Sequence, residues 1–284
     1  MGISVVIASY NRAHTLPRAL ASVMSQSLAA DEIIVADDGS TDATGELLAR
    51  DFPGVRHLAL AHGGVSAARN RAIASATQEW IAILDSDDAW QPEKLQRQVQ
   101  VLAQHPDHRL VHTDEIWIRN GIRVNPMAKH AKRGGWIFQH CLPLCAISPS
   151  SVLIHRSVFD DFGCFDESLP ACEDYDLWLR LCSRMPVLFV EDKLTIKYGG
   201  HEDQLSRHFW GMDRFRVTAL EKILALDCLS PDDRRAASRT LVDKAEILRN
   251  GARKRGREES VQYYQALIDC YQGLFTSGVD KHHG

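Results

Sequence analysis

Three clusters of carboxylates stand out in the chain: Asp37-Asp38 with Asp42, Asp85-Ser86-Asp87-Asp88, and Glu173-Asp174 with Asp176. Like charges this close repel unless a cation or a strong set of donors neutralises them. The second cluster ends the apolar run Trp80-Ile-Ala-Ile-Leu84, where packing alone gives no reason for acids. A divalent cation held by hard oxygen ligands, together with substrate phosphates, fits such a cluster. Plain helix capping by solvated carboxylates is the alternative. The third cluster opens a helical pattern, where the macrodipole favours negative charge and can hold a carboxylate ionised as a base.

The elements that must position these groups follow from hydrophobic pattern. Residues 3–9 form a first strand ending in Ser9-Tyr10-Asn11-Arg12, and Thr15-Leu-Pro17 opens a helix. Glu32–Ala36 is a second strand running into Asp37 and Asp38, followed by a helix carrying Leu47 and Leu48. Residues 55–61 form a third strand, Ser66–Asn70 begin a helix, and 80–84 are the fourth strand. Strands alternating with helices of about a dozen residues predict a doubly wound parallel sheet. Ligands bind such sheets outside the carboxyl ends of the strands, where the Asp clusters lie. A helix follows to about residue 104, then a strand at 109–117 and a basic, glycine-containing loop around Lys129–Gly135. Strands are expected at 151–154, 186–190 and 194–198, with the acidic helix between the first two of these. Beyond about residue 204 the pattern is helical, at roughly 209–227, 231–250 and 256–275.

The chain has 284 residues, 45% hydrophobic and 25% charged, as in an ordinary globular protein. A net charge of −4 gives no reason to expect a nucleic-acid partner. No apolar run approaches a membrane span, and the N-terminus reads as a strand rather than a signal peptide. The seven cysteines are odd in number and lack paired Cys-x-x-Cys spacing, so free thiols in a reducing cytosol are expected.

In order and spacing, six motifs resemble the inverting GT-A glycosyltransferases of family two. They are Val5–Arg12, Ile34–Asp42, Ala68-Arg69-Asn70, Leu84–Asp88, Gly163-Cys-Phe-Asp-Glu167 and Glu173–Arg180. The resemblance covers residues 3 to about 205. It implies a Rossmann-like, mostly parallel α/β sheet flanked by helices, with a nucleotide-sugar-binding half at 1–105 and an acceptor half at 106–205. Residues 206–284 then form a C-terminal helical appendage. It further implies a nucleotide-diphosphate sugar donor, a UDP-sugar by default, and Mn2+ or Mg2+. Carried over by position, Ala8, Tyr10, Arg12, Asp37, Asp38, Arg69, Asp85 and Ser86 would hold the donor. Tyr10 would stack on the base and Asp38 would accept from it. Asp87 would ligate the metal, with His201 as a further ligand and His208 as its competitor. Asp174 would be the catalytic base. Glu173 is a helix cap or an acceptor-side group, and Trp178 is core or a wall of the acceptor pocket.

The expected activity is inverting transfer of a sugar to a hydroxyl of a glycan or lipid-linked acceptor, in surface polysaccharide or lipopolysaccharide synthesis. Two rivals remain: a sugar nucleotidyltransferase, and a binding protein that has lost catalysis. The first wants a glycine-rich phosphate loop after strand one, which Ser9–Arg12 does not supply. A cytoplasmic protein is expected, with peripheral contact at the inner face of the membrane as an option. The basic run Arg249–Arg257 reads first as a solvated loop, with an anionic membrane surface or a phosphorylated acceptor as the alternative, and the C-terminal helices are open to a dimer surface, membrane docking or a cover over the acceptor site.

Overall fold

The computed structural model describes residues 1–200, 209 and 211–276, without the side chains of the last two. His201 and His208 lie outside the described residues. The first half alternates as expected: β1 (Ile3–Ser9), α1 (Leu16–Met24), β2 (Glu32–Asp37), α2 (Thr44–Asp51), β3 (Arg56–Ala59), α3 (Val65–Ser75) and β4 (Trp80–Asp85). Then come β5 (Ala89–Trp90), α4 (Lys94–Gln104), β6 (Leu110–Arg119), β7 (Ile122–Val124), α5 (Phe138–Cys141), β8 (Val152–His155), α6 (Ser157–Phe162), α7 (Glu173–Cys182) and β9 (Leu188–Gly199). Three further helices follow, α8 (Asp213–Ala225), α9 (Pro231–Lys254) and α10 (Glu258–Thr276).

One sheet runs in the order β3-β2-β1-β4-β8-β6-β9-β5, with β7 paired to β6. The first four strands are parallel, which sets Ala8 beside both Ala36 and Asp85, and Ser9 beside Asp37. Two acidic loops are therefore neighbours of the β1 end by register alone. Beyond β4 the sheet is mixed: β8 runs antiparallel to β4 and β6, whereas β6 and β9 are parallel. The two short strands expected at 186–190 and 194–198 are one strand, β9, irregular where it passes Thr113–Glu115. That irregularity lets exposed Glu191, Asp192 and Lys193 leave the ladder's rhythm without ending the strand.

Side chains alternate across the sheet into two cores. Val6, Ile34, Ile81 and Ile83 face one side, and Ile3, Val5, Ile7, Ala82 and Leu84 the other. On the first side Trp178 and Leu181 of α7 share a core with Leu220 and Ile223 of α8 and with Leu241 and Ala245 of α9. The C-terminal helices are thus packed on the helix that carries the third acid cluster. Among the described residues, no helix is long and apolar enough to cross a membrane.

Candidate active site

The loop after β1 is locked to the loop after β2. Asn11, at φ 53°, accepts the Thr41 and Asp42 N–H groups on Oδ1 at 2.8 and 3.3 Å, and its own N–H donates to Ser40 Oγ at 2.8 Å. Asn is among the residues that tolerate this left-handed backbone. Asp42 accepts the Ala13 N–H at 3.1 Å and the Thr44 hydroxyl at 2.5 Å. Asp37 spends its carboxylate locally, accepting the Ser40 N–H at 2.9 Å with His57 Nε2 at 3.4 Å. It stands behind the cavity described below and does not line it.

Asp38 is nearly inaccessible and holds the next loop. Its two oxygens accept the Gly63 and Gly64 N–H groups at 2.8 and 2.9 Å, with His62 Nδ1 at 2.9 Å. Gly64 sits at φ 93° and ψ 165°, a region essentially reserved for glycine, immediately before α3. This arrangement brings the His62 ring against Tyr10, stacked with centroids 4.3 Å apart. Tyr10 remains 42% exposed, so a flat partner can still reach it.

A cavity of about 990 Å³ opens over these loops. Ala8, Tyr10, Arg12, Asp38, Arg69, Asp85, Ser86, Asp87, Glu173 and Asp174 all line it. Arg69, buried on α3, donates to Asp85 Oδ1 and Glu173 Oε1, each at 2.6 Å. Burial alone would lower the pKa of this guanidinium, but the two carboxylates overcome that and raise it. Arg69 thereby ties the second acid cluster to the third. Its neighbour Asn70 binds the 163–167 loop, with Oδ1 accepting the Phe165 N–H at 3.0 Å and Nδ2 donating to the Phe165 carbonyl at 2.9 Å. Burial raises the pKa of Glu173, with Arg69 opposing and Asp174 adding to the rise.

Within the second cluster the acids divide. Asp88 is buried and structural: Ser150 Oγ donates to it at 2.6 Å, and the Tyr198 N–H at 3.1 Å. Burial pushes its pKa well up against the pull of Lys197, and Asp87 and Asp85 add to the rise. Asp87 is half-buried on the cavity wall, its carbonyl accepting from Arg18 at 2.5 Å. Among the described residues no group of three or more His, Cys, Asp or Glu side chains is placed to hold a metal. Mg2+ is commonly held by one or two carboxylates completed by substrate phosphates. Asp87, with Asp85 nearby in sequence on the same wall, fits that mode rather than an all-protein cage.

Asp174 is half-buried in the first turn of α7. Its Oδ1 accepts the Tyr175 N–H at 2.7 Å, and its Oδ2 accepts the Cys145 thiol at 3.0 Å. Burial, then the Asp174 charge, hold the Cys145 pKa well above the ordinary thiol value, so the sulfur keeps the proton it donates. Cys172, the residue before α7, adopts φ 62°, a strained conformation on the cavity wall. Trp178 does not face the acceptor side. It has no exposure and belongs to the core between α7 and the C-terminal helices, because its place in α7 puts it on the inward stripe.

Pattern reading missed Lys197 and Tyr198 of β9, both on the cavity wall. Burial would lower the Lys197 pKa, but Glu115, Asp88 and Asp85 raise it and keep the ammonium charged. Arg18 lies 3.6 Å over the Tyr198 ring. The available signal was a lysine interrupting an otherwise strand-like run, Leu194 to Tyr198.

Comparison with known proteins identifies the family and the fold. The family described as glycosyl transferase family 2 matches residues 4–160. The chain is 30% identical over 184 residues to WfgD of Escherichia coli, a UDP-Glc:alpha-D-GlcNAc-diphosphoundecaprenol beta-1,3-glucosyltransferase, covering 63% of this chain and 69% of that one. It is 29% identical over 218 residues to an uncharacterized glycosyltransferase of Rickettsia felis, covering 72% of this chain and 35% of the relative. The chain thus spans about a third of the length of several curated relatives it matches. TarS 1–349 of S. aureus, solved in complex with UDP-GlcNAc, superposes with a TM-score of 0.71 at 18% identity, over 98% of this chain and 91% of that one. The chain belongs to glycosyl transferase family 2 and has its GT-A-type α/β fold.

Proposed function

We propose that this chain is an inverting glycosyltransferase. It moves a sugar from a nucleotide diphosphate, with a UDP-sugar as first choice, to a hydroxyl of a glycan or lipid-linked acceptor in surface polysaccharide synthesis. One observation carries the reading: a single cavity brings a stackable tyrosine, an acidic strand end and a carboxylate at a helix N-terminus to the same space. The name of the WfgD relative, with its UDP-Glc donor and lipid-diphosphate acceptor, supports the substrate classes.

In this reading the base lies against Tyr10, where a flat ring completes the stack begun by His62. The diphosphate lies along the wall of Asp85, Ser86 and Asp87. Asp87 would hold Mn2+ or Mg2+, with a donor-side role for Asp85, and the bound cation would neutralise charge building on the departing diphosphate. Lys197, kept charged by its carboxylate neighbours, faces the same cavity and adds fixed positive potential there. Asp174 stands in the first turn of α7, at the positive end of the helix dipole. It takes the proton from the acceptor hydroxyl as that oxygen attacks the anomeric carbon. The glycosidic bond to phosphate breaks as the new bond forms on the opposite face, which inverts the centre.

The test is transfer from UDP-sugars to a lipid-diphosphate saccharide, with and without Mn2+, in the wild type and in Asp174→Asn. General-base loss is worth ~10²–10⁴ in rate. Full turnover by Asp174→Asn defeats the base assignment, and full turnover in EDTA defeats the metal assignment.

A further inference from the structure

From Ile116 to Phe159 the chain carries no Asp or Glu. The same stretch exposes Arg119, Arg123, Lys129 and Arg133. It also exposes three large apolar side chains, Ile122 at 69%, Met127 at 61% and Trp136 at 70%. The fourth apolar element of this surface, Trp117, is partly covered: the His130 ring meets it at 5.0 Å and the Arg119 guanidinium lies 5.5 Å over it. These contacts join the β6–β7 hairpin to the turn at 128–130. The chain that follows is held from beneath. His140 binds the Ala131 carbonyl at 2.7 Å, His112 binds the Arg133 carbonyl at 2.8 Å, and Gly135 bridges to Val187. Lys132 turns inward to Glu115 at 3.1 Å. These contacts hold the segment from beneath, so the exposed cations and apolar groups belong to an anchored surface.

Its place in the fold matters. Arg119 pairs in register with Gly199, directly after Lys197 and Tyr198, which line the cavity. The surface therefore begins where the cavity's β9 wall ends.

We propose that the β6–β7 hairpin and residues 127–136 dock this protein on an anionic lipid bilayer. Exposed Arg and Lys match negative headgroups, at about fivefold in affinity per residue near the surface. Trp136, Ile122 and Met127 enter the interfacial layer, where an aromatic or aliphatic group beside cations is favoured. The other basic run, Arg253 to Arg257, suits a bilayer less. Exposed Glu258 and Glu259 follow it at once, Arg249 is spent on Gln265 at 2.7 Å, and no large apolar side chain in the run is exposed.

The experiment is sedimentation of the full chain with vesicles of phosphatidylcholine alone and of phosphatidylcholine with phosphatidylglycerol in equal parts, at low salt. Binding should favour the anionic vesicles at least tenfold. Arg123→Gln with Lys129→Gln should lower that binding about 25-fold, two residues at about fivefold each. Trp136→Ala should lower it further, whereas Arg253→Gln with Lys254→Gln should leave it within twofold. All these positions are exposed, so an unchanged melting temperature confirms folding. Absence of binding to anionic vesicles, an unaffected hairpin variant, or loss confined to the 253/254 variant would each overturn the proposal. Sedimentation involves no turnover, so its outcome stands apart from that of the glycosyl-transfer assay.

Discussion

The two halves of the cavity are built by different means. On the donor side, the loops after β1 and β2 and the turn before α3 hold themselves by short polar contacts among Asn11, Asp37, Asp38, Asp42 and backbone N–H groups. On the acceptor side, position comes from buried charge and helix packing, with Glu115–Lys132, Asp88–Ser150 and the α7–α8 core far apart in sequence. Arg69 joins the two through Asp85 and Glu173. Local loops hold the proposed donor side by themselves, and the opposite wall depends on the integrity of the whole second half.

The comparison breaks most visibly at Arg69. Arg69→Met leaves two acids near or below the surface without their cation and should destabilise the fold by about 3–5 kcal/mol. Urea unfolding measures this, and a loss under about 1 kcal/mol would mean that the halves do not need the clamp.

Acid should act through the second half. His112 has no exposure, and burial, followed by the Lys132 charge, pulls its pKa down to about 4. The unfolded chain takes up that proton near pH 6.5. Between these values the unfolded state binds more protons, so stability is full above about pH 6.5 and falls as pH drops toward 4, by up to about 3 kcal/mol. His112→Gln should flatten the decline seen in unfolding midpoints between pH 7 and 4.5, and an unchanged decline would assign it to other groups.

On the donor side the corresponding change is smaller. Gly64→Ala forces a side chain into a glycine-only backbone region and should cost about 1–3 kcal/mol. If the loop serves the nucleotide, donor KM should rise by more than kcat falls.

The smallest effect is expected at Cys145. Loss of its hydrogen bond to Asp174 in Cys145→Ala is worth about 0.5–1.5 kcal/mol. Without that donor Asp174 loses a contact that holds its Oδ2 in place, so kcat should fall while donor KM stays near wild type. Cys145→Ser should restore kcat, and equal kcat in all three proteins would separate Cys145 from the base.

Much of the loop arrangement after β1, β2 and β4 was legible because motif and contact coincide along the chain. Asp37-Asp38 and Asp85–Asp88 end β2 and β4, the two parallel strands that flank β1, so both loops open beside the end of β1. The acceptor side was less so. Lys197 reaches the cavity only because β9 pairs with β6 on the far side of β8, a mixed order that hydrophobic period does not encode. The gap expected between residues 190 and 194 is an irregularity inside one strand, since exposed charges can interrupt a pattern without ending a ladder. Trp178 was open to core or pocket wall in the sequence and is core, because α8 and α9 cover that face of α7. Asp88 joins β9 to the acidic loop, a contact between distant segments that no local motif spells.

The central claim is that Asp174 accepts the acceptor's proton in a cavity whose other wall holds the donor. The direct measurement is single-turnover transfer by Asp174→Asn, alongside nucleotide-diphosphate binding to the same variant by thermal shift with Mn2+. The account predicts donor stabilisation equal to wild type and transfer slowed by ~10²–10⁴. Transfer at the wild-type rate would contradict it.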